Sequence, residues 1–104
     1  MSSMTRLRRI EVLADEPLIP ALERLAGMAG IHNHTLLPTL GGMGQHGRWR
    51  DDQLSGATAK IMLLAITTPA KADHFVDLIS PMLEPHSLLL LLSDVDVVRG
   101  PHFE

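Results

Sequence analysis

Apolar and polar residues alternate from Arg6 to Ala14, with Arg8, Ile10, Val12 and Ala14 on one side and Arg9 and Glu11 on the other. That period of two predicts a half-buried first strand. Asp15-Glu16-Pro17 interrupts it with carboxylates suited to capping and a proline suited to a first helical turn. Leu18, Leu22, Leu25, Ala26 and Ala29 then recur at helical spacing, and Gly27 and Gly30 are both candidates for a left-handed stop. A second strand is expected over residues 31–40, where Leu36, Pro38 and Leu40 share a face and Pro38 argues for a sheet edge. Residues 41–57 hold five of the eight glycines and the single tryptophan, and follow neither period. A long mobile loop is predicted there.

The pattern resumes over Thr58–Thr67, with Ile61, Leu63 and Ala65 on one face and Met62, Leu64 and Ile66 on the other. This third strand is apolar on both faces. Thr67-Thr68-Pro69 reads as a helix start, followed by Ala72, Phe75, Val76 and Ile79, with Pro81 kinking or ending the helix. Glu84-Pro85-His86 is a turn, and Ser87–Ser93 encloses five leucines in a fourth strand that extends through Asp94–Val98. Strand, helix, strand, long loop, strand, helix, strand is an α+β arrangement, ferredoxin-like βαββαβ, in a single domain spanning residues 1–104. Two helices cover one sheet face. The doubly apolar third and fourth strands therefore predict self-association across the other.

Composition narrows the function. Nine Lys and Arg against twelve Asp and Glu give a formal net charge of -3, without the basic excess of a phosphate-gripping nucleic-acid binder. The absence of cysteine removes thiolate metal sites, disulfides and Cys nucleophiles together. The arginine-bearing start runs into Ile10-Glu11-Val12 rather than an apolar signal core, and even the longest apolar run, Ile61–Ile66, is far short of a bilayer span. A cytoplasmic protein with no membrane insertion is expected.

Gly42-Met-Gly-Gln-His-Gly47 matches the spacing of a dinucleotide-binding loop in form only. The stretch Arg48-Trp-Arg-Asp-Asp52 follows instead of a helix, and about twenty positions on lies Met62 rather than an acidic residue. No Gly-Lys-Ser/Thr is present for a Walker loop. A glycine-rich backbone can still offer a nest of N–H groups to an oxyanion, with Arg48 and Arg50 adding forked donors; a flexible loop with solvated arginines accounts for the same residues. His32 and His34 have a chelating spacing without a third ligand close in sequence, so no metal is assigned. Ser87 and Ser93 bracket a leucine strand rather than sitting in a nucleophile elbow, and Asp51-Asp52 reads as loop charge. No catalytic residue is assigned, and the protein is read as not an enzyme.

Among ferredoxin-like domains, RNA binders need strand aromatics, whereas Trp49, Phe75 and Phe103 all fall off the predicted strands. Copper chaperones need a Cys-x-x-Cys. Three stretches of the chain instead resemble the PII-like signalling family: Leu36–Trp49, Ala65–Ala72 and Ser93–Phe103. The last, Ser-Asp-Val-Asp-Val-Val-Arg followed by Pro and Phe, is most similar to the carboxysome-associated PII-like subgroup.

The resemblance implies a homotrimer with an adenine nucleotide in each inter-subunit cleft, a T-loop over residues 41–57 and a C-terminal tail over residues 99–104. In that subgroup the implied ligands are ADP or AMP together with bicarbonate, tied to inorganic-carbon metabolism; no metal or other cofactor is implied. Carried onto this sequence, Gly41, Gly42, Gly44, Gly47, Arg48, the turn Pro85-His86-Ser87 and Arg99 become the nucleotide contacts, and Arg48 and Gly42 the bicarbonate contacts. The T-loop would dock a protein target. Two departures from nitrogen-signalling relatives matter: the chain has no tyrosine to uridylylate, and Leu83-Glu-Pro-His-Ser87 replaces the Gly-Asp-Gly-Lys turn. A metabolite-binding or protein-docking regulatory module of the same fold, without nucleotide, is the alternative.

Overall fold

The computed structural model describes residues 3–44, 47–50 and 59–98. Strand β1 (Thr5–Asp15) leads through a single 3-10 turn, Glu16–Leu18, into helix α1 (Ile19–Met28). Strands β2 (Thr35–Pro38), β3 (Gly41–Gly44), β4 (Gly47–Arg50) and β5 (Lys60–Thr67) follow, then helix α2 (Pro69–Leu83) and strand β6 (Leu89–Val97). The main sheet runs β2-β5-β1-β6 with every neighbouring pair antiparallel, which is the ferredoxin-like βαββαβ order. Pro38 lies on an edge strand, where a residue without a main-chain donor is best tolerated.

Alternation in the central strands decides which face meets the helices. Ile10, Val12 and Ala14 of β1 and Leu63 and Ala65 of β5 are buried with Ile19, Leu22 and Ala26 of α1 and Ala72, Phe75 and Ile79 of α2. The cross-strand register aligns Ile10 with Ala65 and Leu92, and Val12 with Leu63 and Leu90. The opposite face carries Leu13, Met62, Leu64, Leu89 and Leu91, related by the same registers, and Leu89 and Leu91 remain 49% and 44% exposed. No described helix packs there.

Both helices end in the same way. In α1 the Ile31 N–H bonds to the Ala26 carbonyl and the Gly30 N–H to Gly27, with Gly30 at φ 86°. In α2 the Leu88 N–H bonds to Leu83 and the Ser87 N–H to Glu84, with Ser87 at φ 51°. These are paired Schellman closures in which the left-handed residue is glycine once and serine once. Gly30, rather than Gly27, is thus the stop of α1. Thr68 caps the start of α2 by accepting from the Lys71 N–H at 3.3 Å.

The structure corrects four expectations from the pattern. Asp15 makes no capping bond, because its carboxylate is held by Lys60 at 2.8 Å. The second strand is confined to Thr35–Pro38, since the chain leaving the α1 closure is still reorienting at Ile31, and His32 and His34 therefore precede it. Helix α2 runs two residues past Pro81, where so little helix remains that one missing donor is tolerated. Part of the Gly-rich stretch is also ordered: β3 and β4 form a two-stranded hairpin pairing Gly41 with Arg50, Gly42 with Trp49, Met43 with Arg48 and Gly44 with Gly47. Residues 45–46 and 51–57 of the expected loop, and the tail over residues 99–104 with Arg99, lie outside the described residues.

Candidate functional site

The hairpin rises from the end of β2 and stands beside the closure of α2, and between them lies a cleft of about 700 Å³. One wall is Met43, Gly44, Gly47, Arg48 and Trp49 of β3 and β4. Another is Leu83, Glu84, Ser87, Leu88 and Leu89, where α2 turns into β6. Leu13, Asp15 and Lys60 complete it from the adjoining ends of β1 and β5. Apolar side chains and a few charged groups in a concavity of this size suit a small polar ligand with an apolar part.

A network fastens the hairpin to the sheet. The Trp49 Nε1–H donates to Thr39 Oγ at 3.4 Å, and the Thr39 hydroxyl donates to the Lys60 carbonyl at 2.8 Å. The Lys60 ammonium lies 5.3 Å from the centroid of the Trp49 ring, within cation–π range. It also donates to Asp15 Oδ1 at 2.8 Å, a pair placed by strand register, since Asp15 and Lys60 are partners in the β1–β5 ladder. The indole covers Gly42 so closely that a Cβ there would stand 2.4 Å from the ring.

Of the residues proposed from the sequence, Gly44, Gly47, Arg48 and Ser87 are brought together, although nearly forty positions separate Arg48 from Ser87. Gly41 and Gly42 belong to β3 but do not line the cleft, Gly42 lying under Trp49. Pro85 and His86 are exposed on the turn and do not line it either. His34 is bonded to Glu23 at 2.7 Å and His32 is exposed. Among the described residues no group of three or more His, Asp or Glu is placed to hold a metal ion.

Sequence reasoning missed Asp15, Lys60, Trp49 and Glu84 as site residues. Lys60 had one local signal: it is the charged residue that opens the apolar run Ile61–Ile66. Its link to Asp15 depends on a strand register that spacing does not reveal.

The sequence matches the family model described as Nitrogen regulatory protein P-II over residues 7–102. None of the curated proteins matches it. Among solved structures, CPII, a nitrogen regulatory PII-like protein from Thiomonas intermedia K12 bound to ADP, AMP and bicarbonate, superposes with a TM-score of 0.88 at 22% identity, over 97% of this chain and 96% of its own. A PII-like signalling protein of Thermus thermophilus gives 0.82 at 19% identity, covering 98% and 99%. The GlnK–ATP complex of B. subtilis gives 0.61 at 10% identity, covering 86% and 82%.

Proposed function

The chain belongs to the nitrogen regulatory protein P-II family, and we propose that within it this protein is a non-enzymatic sensor that binds ADP or AMP together with bicarbonate and signals through the segment containing β3 and β4. The observation that carries the reading is the meeting of Gly44, Gly47 and Arg48 with the Ser87 turn in one cleft. Its volume, about 700 Å³, falls in the range of small-molecule sites. The leucines offer an apolar surface to a base, and the Arg48 guanidinium offers a fork to phosphate or bicarbonate. The occurrence of ADP, AMP and bicarbonate in the Thiomonas CPII complex supports this choice of ligands. Of the two residues expected to meet bicarbonate, Arg48 lines the cleft and Gly42 lies next to that wall in β3.

In this reading three chains associate through the apolar sheet face bearing Leu13, Leu64, Leu89 and Leu91, and Arg99 joins the nucleotide site from the tail. A link to inorganic-carbon metabolism follows from bicarbonate; the carboxysome-associated subgroup rests on sequence resemblance alone. No described helix is long and apolar enough to cross a membrane.

Calorimetry of the full chain against AMP and ADP, with and without bicarbonate, tests the reading. Binding of at least one nucleotide, strengthened by bicarbonate, is expected. Arg48→Ala should reduce that strengthening more than it reduces binding of nucleotide alone, because coupling belongs to the pair of ligands. Absence of any nucleotide binding would favour the second reading, a protein-docking module. A specific feature supports that alternative: Leu40 and Met43 beside and on the hairpin are 82% and 64% exposed.

A further inference from the structure

We propose that Glu84 makes the cleft a charge filter that disfavours nucleotides with long phosphate chains. The inference rests on the nucleotide reading above and adds the residue that sets its selectivity. Four charged residues line the cleft among those described: Asp15, Arg48, Lys60 and Glu84. Lys60 is engaged by Asp15 at 2.8 Å, so a ligand must compete with a carboxylate for its ammonium. Among the described residues, Arg48 on the hairpin wall and Glu84 on the α2 wall are the remaining charges of the lining, to which the reading above adds Arg99 from the tail.

The fold adds to the negative side. Glu84 follows the last residue of a fifteen-residue helix, at the partially negative end of its macrodipole, and the last turn of α2 contains no basic residue to offset it. Its main-chain carbonyl takes part in the Schellman closure, accepting from the Ser87 N–H at 3.2 Å, which fixes the position of this corner of the cleft. A phosphate-binding turn would present cations or unpaired N–H groups; here the residue lining the cleft at the helix end is an acid.

A terminal phosphate carries roughly 1.5 to 2 negative charges at neutral pH, and each phosphate inserted behind it adds about one more. The first charges can be met by Arg48 and, in the reading above, by Arg99. Every further one raises the charge brought into a cleft whose other wall repels it, so the order AMP and ADP ahead of ATP follows from repulsion rather than from an added attraction. Glu84 is exposed, so solvent and salt screen the effect, and it should be modest and dependent on ionic strength.

The test is titration of the full chain and its variants with AMP, ADP and ATP at low and high salt. Glu84→Gln should reduce the ratio of the ATP to the AMP dissociation constant by roughly three- to tenfold at low salt, with less change at high salt. Glu84→Lys should shift the ratio further in the same direction, and Glu84→Asp, which keeps the charge, should leave it near the wild-type value. If all three nucleotides bind but the ratio is the same in wild type, Glu84→Gln and Glu84→Lys, the filter is wrong and the nucleotide reading stands. If neither the wild type nor any variant binds a nucleotide, both fall together.

Discussion

The indole of Trp49 rests on Gly42, its partner across the β3–β4 ladder, with no room for a side chain between ring and strand. The one tryptophan of the chain is thereby pinned by a glycine, a threonine hydroxyl and a lysine at the mouth of the cleft. Gly42→Ala should push the ring off the strand and out of reach of Thr39 and Lys60. The emission of Trp49 should move to longer wavelength and the hairpin amides should exchange faster. The melting temperature should change little, since none of these residues belongs to the buried core.

Asp15 and Lys60 make a second prediction. In Asp15→Asn the ammonium loses its partner at 2.8 Å and becomes available to an anion in the cleft, so AMP should bind severalfold more tightly. Lys60→Met keeps the apolar stem but removes the charge, and should weaken AMP binding by a similar factor. Calorimetry decides both; equal affinities in all three proteins would remove Lys60 from the site.

The matched ends of α1 and α2 provide a third. Gly30 sits at φ 86°, and an added Cβ would stand 3.4 Å from Lys71 Cε. Gly30→Ala should therefore cost about 1–2 kcal/mol of stability, the usual penalty for a left-handed residue with a side chain, in urea unfolding at fixed protein concentration. Gly27→Ala is the control, because nothing lies within 4 Å of its added Cβ and the position is helical. It should be neutral or slightly stabilising.

A fourth concerns assembly. Leu91 lies on the sheet face that no described helix covers, across the ladder from Glu11, and is 44% exposed. Leu91→Glu should place a charge in the proposed subunit interface and shift light-scattering mass from trimer toward monomer, with stability becoming strongly dependent on protein concentration. Leu22→Ala, in the buried core on the other face, should lower stability by about 2–5 kcal/mol through cavity formation without a change of the same kind in assembly.

Legibility in the sequence followed the range of the interactions concerned. Alternation in β1 and helical spacing in α2 are local, and they group Ile10 with Val12 and Ala72 with Phe75 and Ile79; β5 is apolar on both faces in sequence, and only packing turns Leu63 and Ala65 toward the helices. The hairpin was missed because glycine contributes no apolar period; its order comes from strand pairing and from a ring laid across Gly42. Asp15 was misread as a cap because a carboxylate before Glu-Pro has that local preference, while its actual partner is forty-five positions away.

Residue spacing by itself determined the order of strands and helices, the edge position of Pro38 and the presence of a second apolar sheet face, because each depends on neighbours a few positions apart and on which residues water will tolerate. Family resemblance offered Gly41, Gly42, Gly44, Gly47, Arg48, Pro85, His86, Ser87 and Arg99, of which Gly44, Gly47, Arg48 and Ser87 line the cleft among the described residues. Only the tertiary structure decided that Gly44, Gly47, Arg48 and Ser87 share a cleft, that Lys60 is committed to Asp15, and that Glu84 stands on the same cleft as Arg48. Those relations are set by the register of β1 on β5 and by the closure that turns α2 into β6. Such geometry arises from packing the whole core, and no local pattern along the chain encodes it.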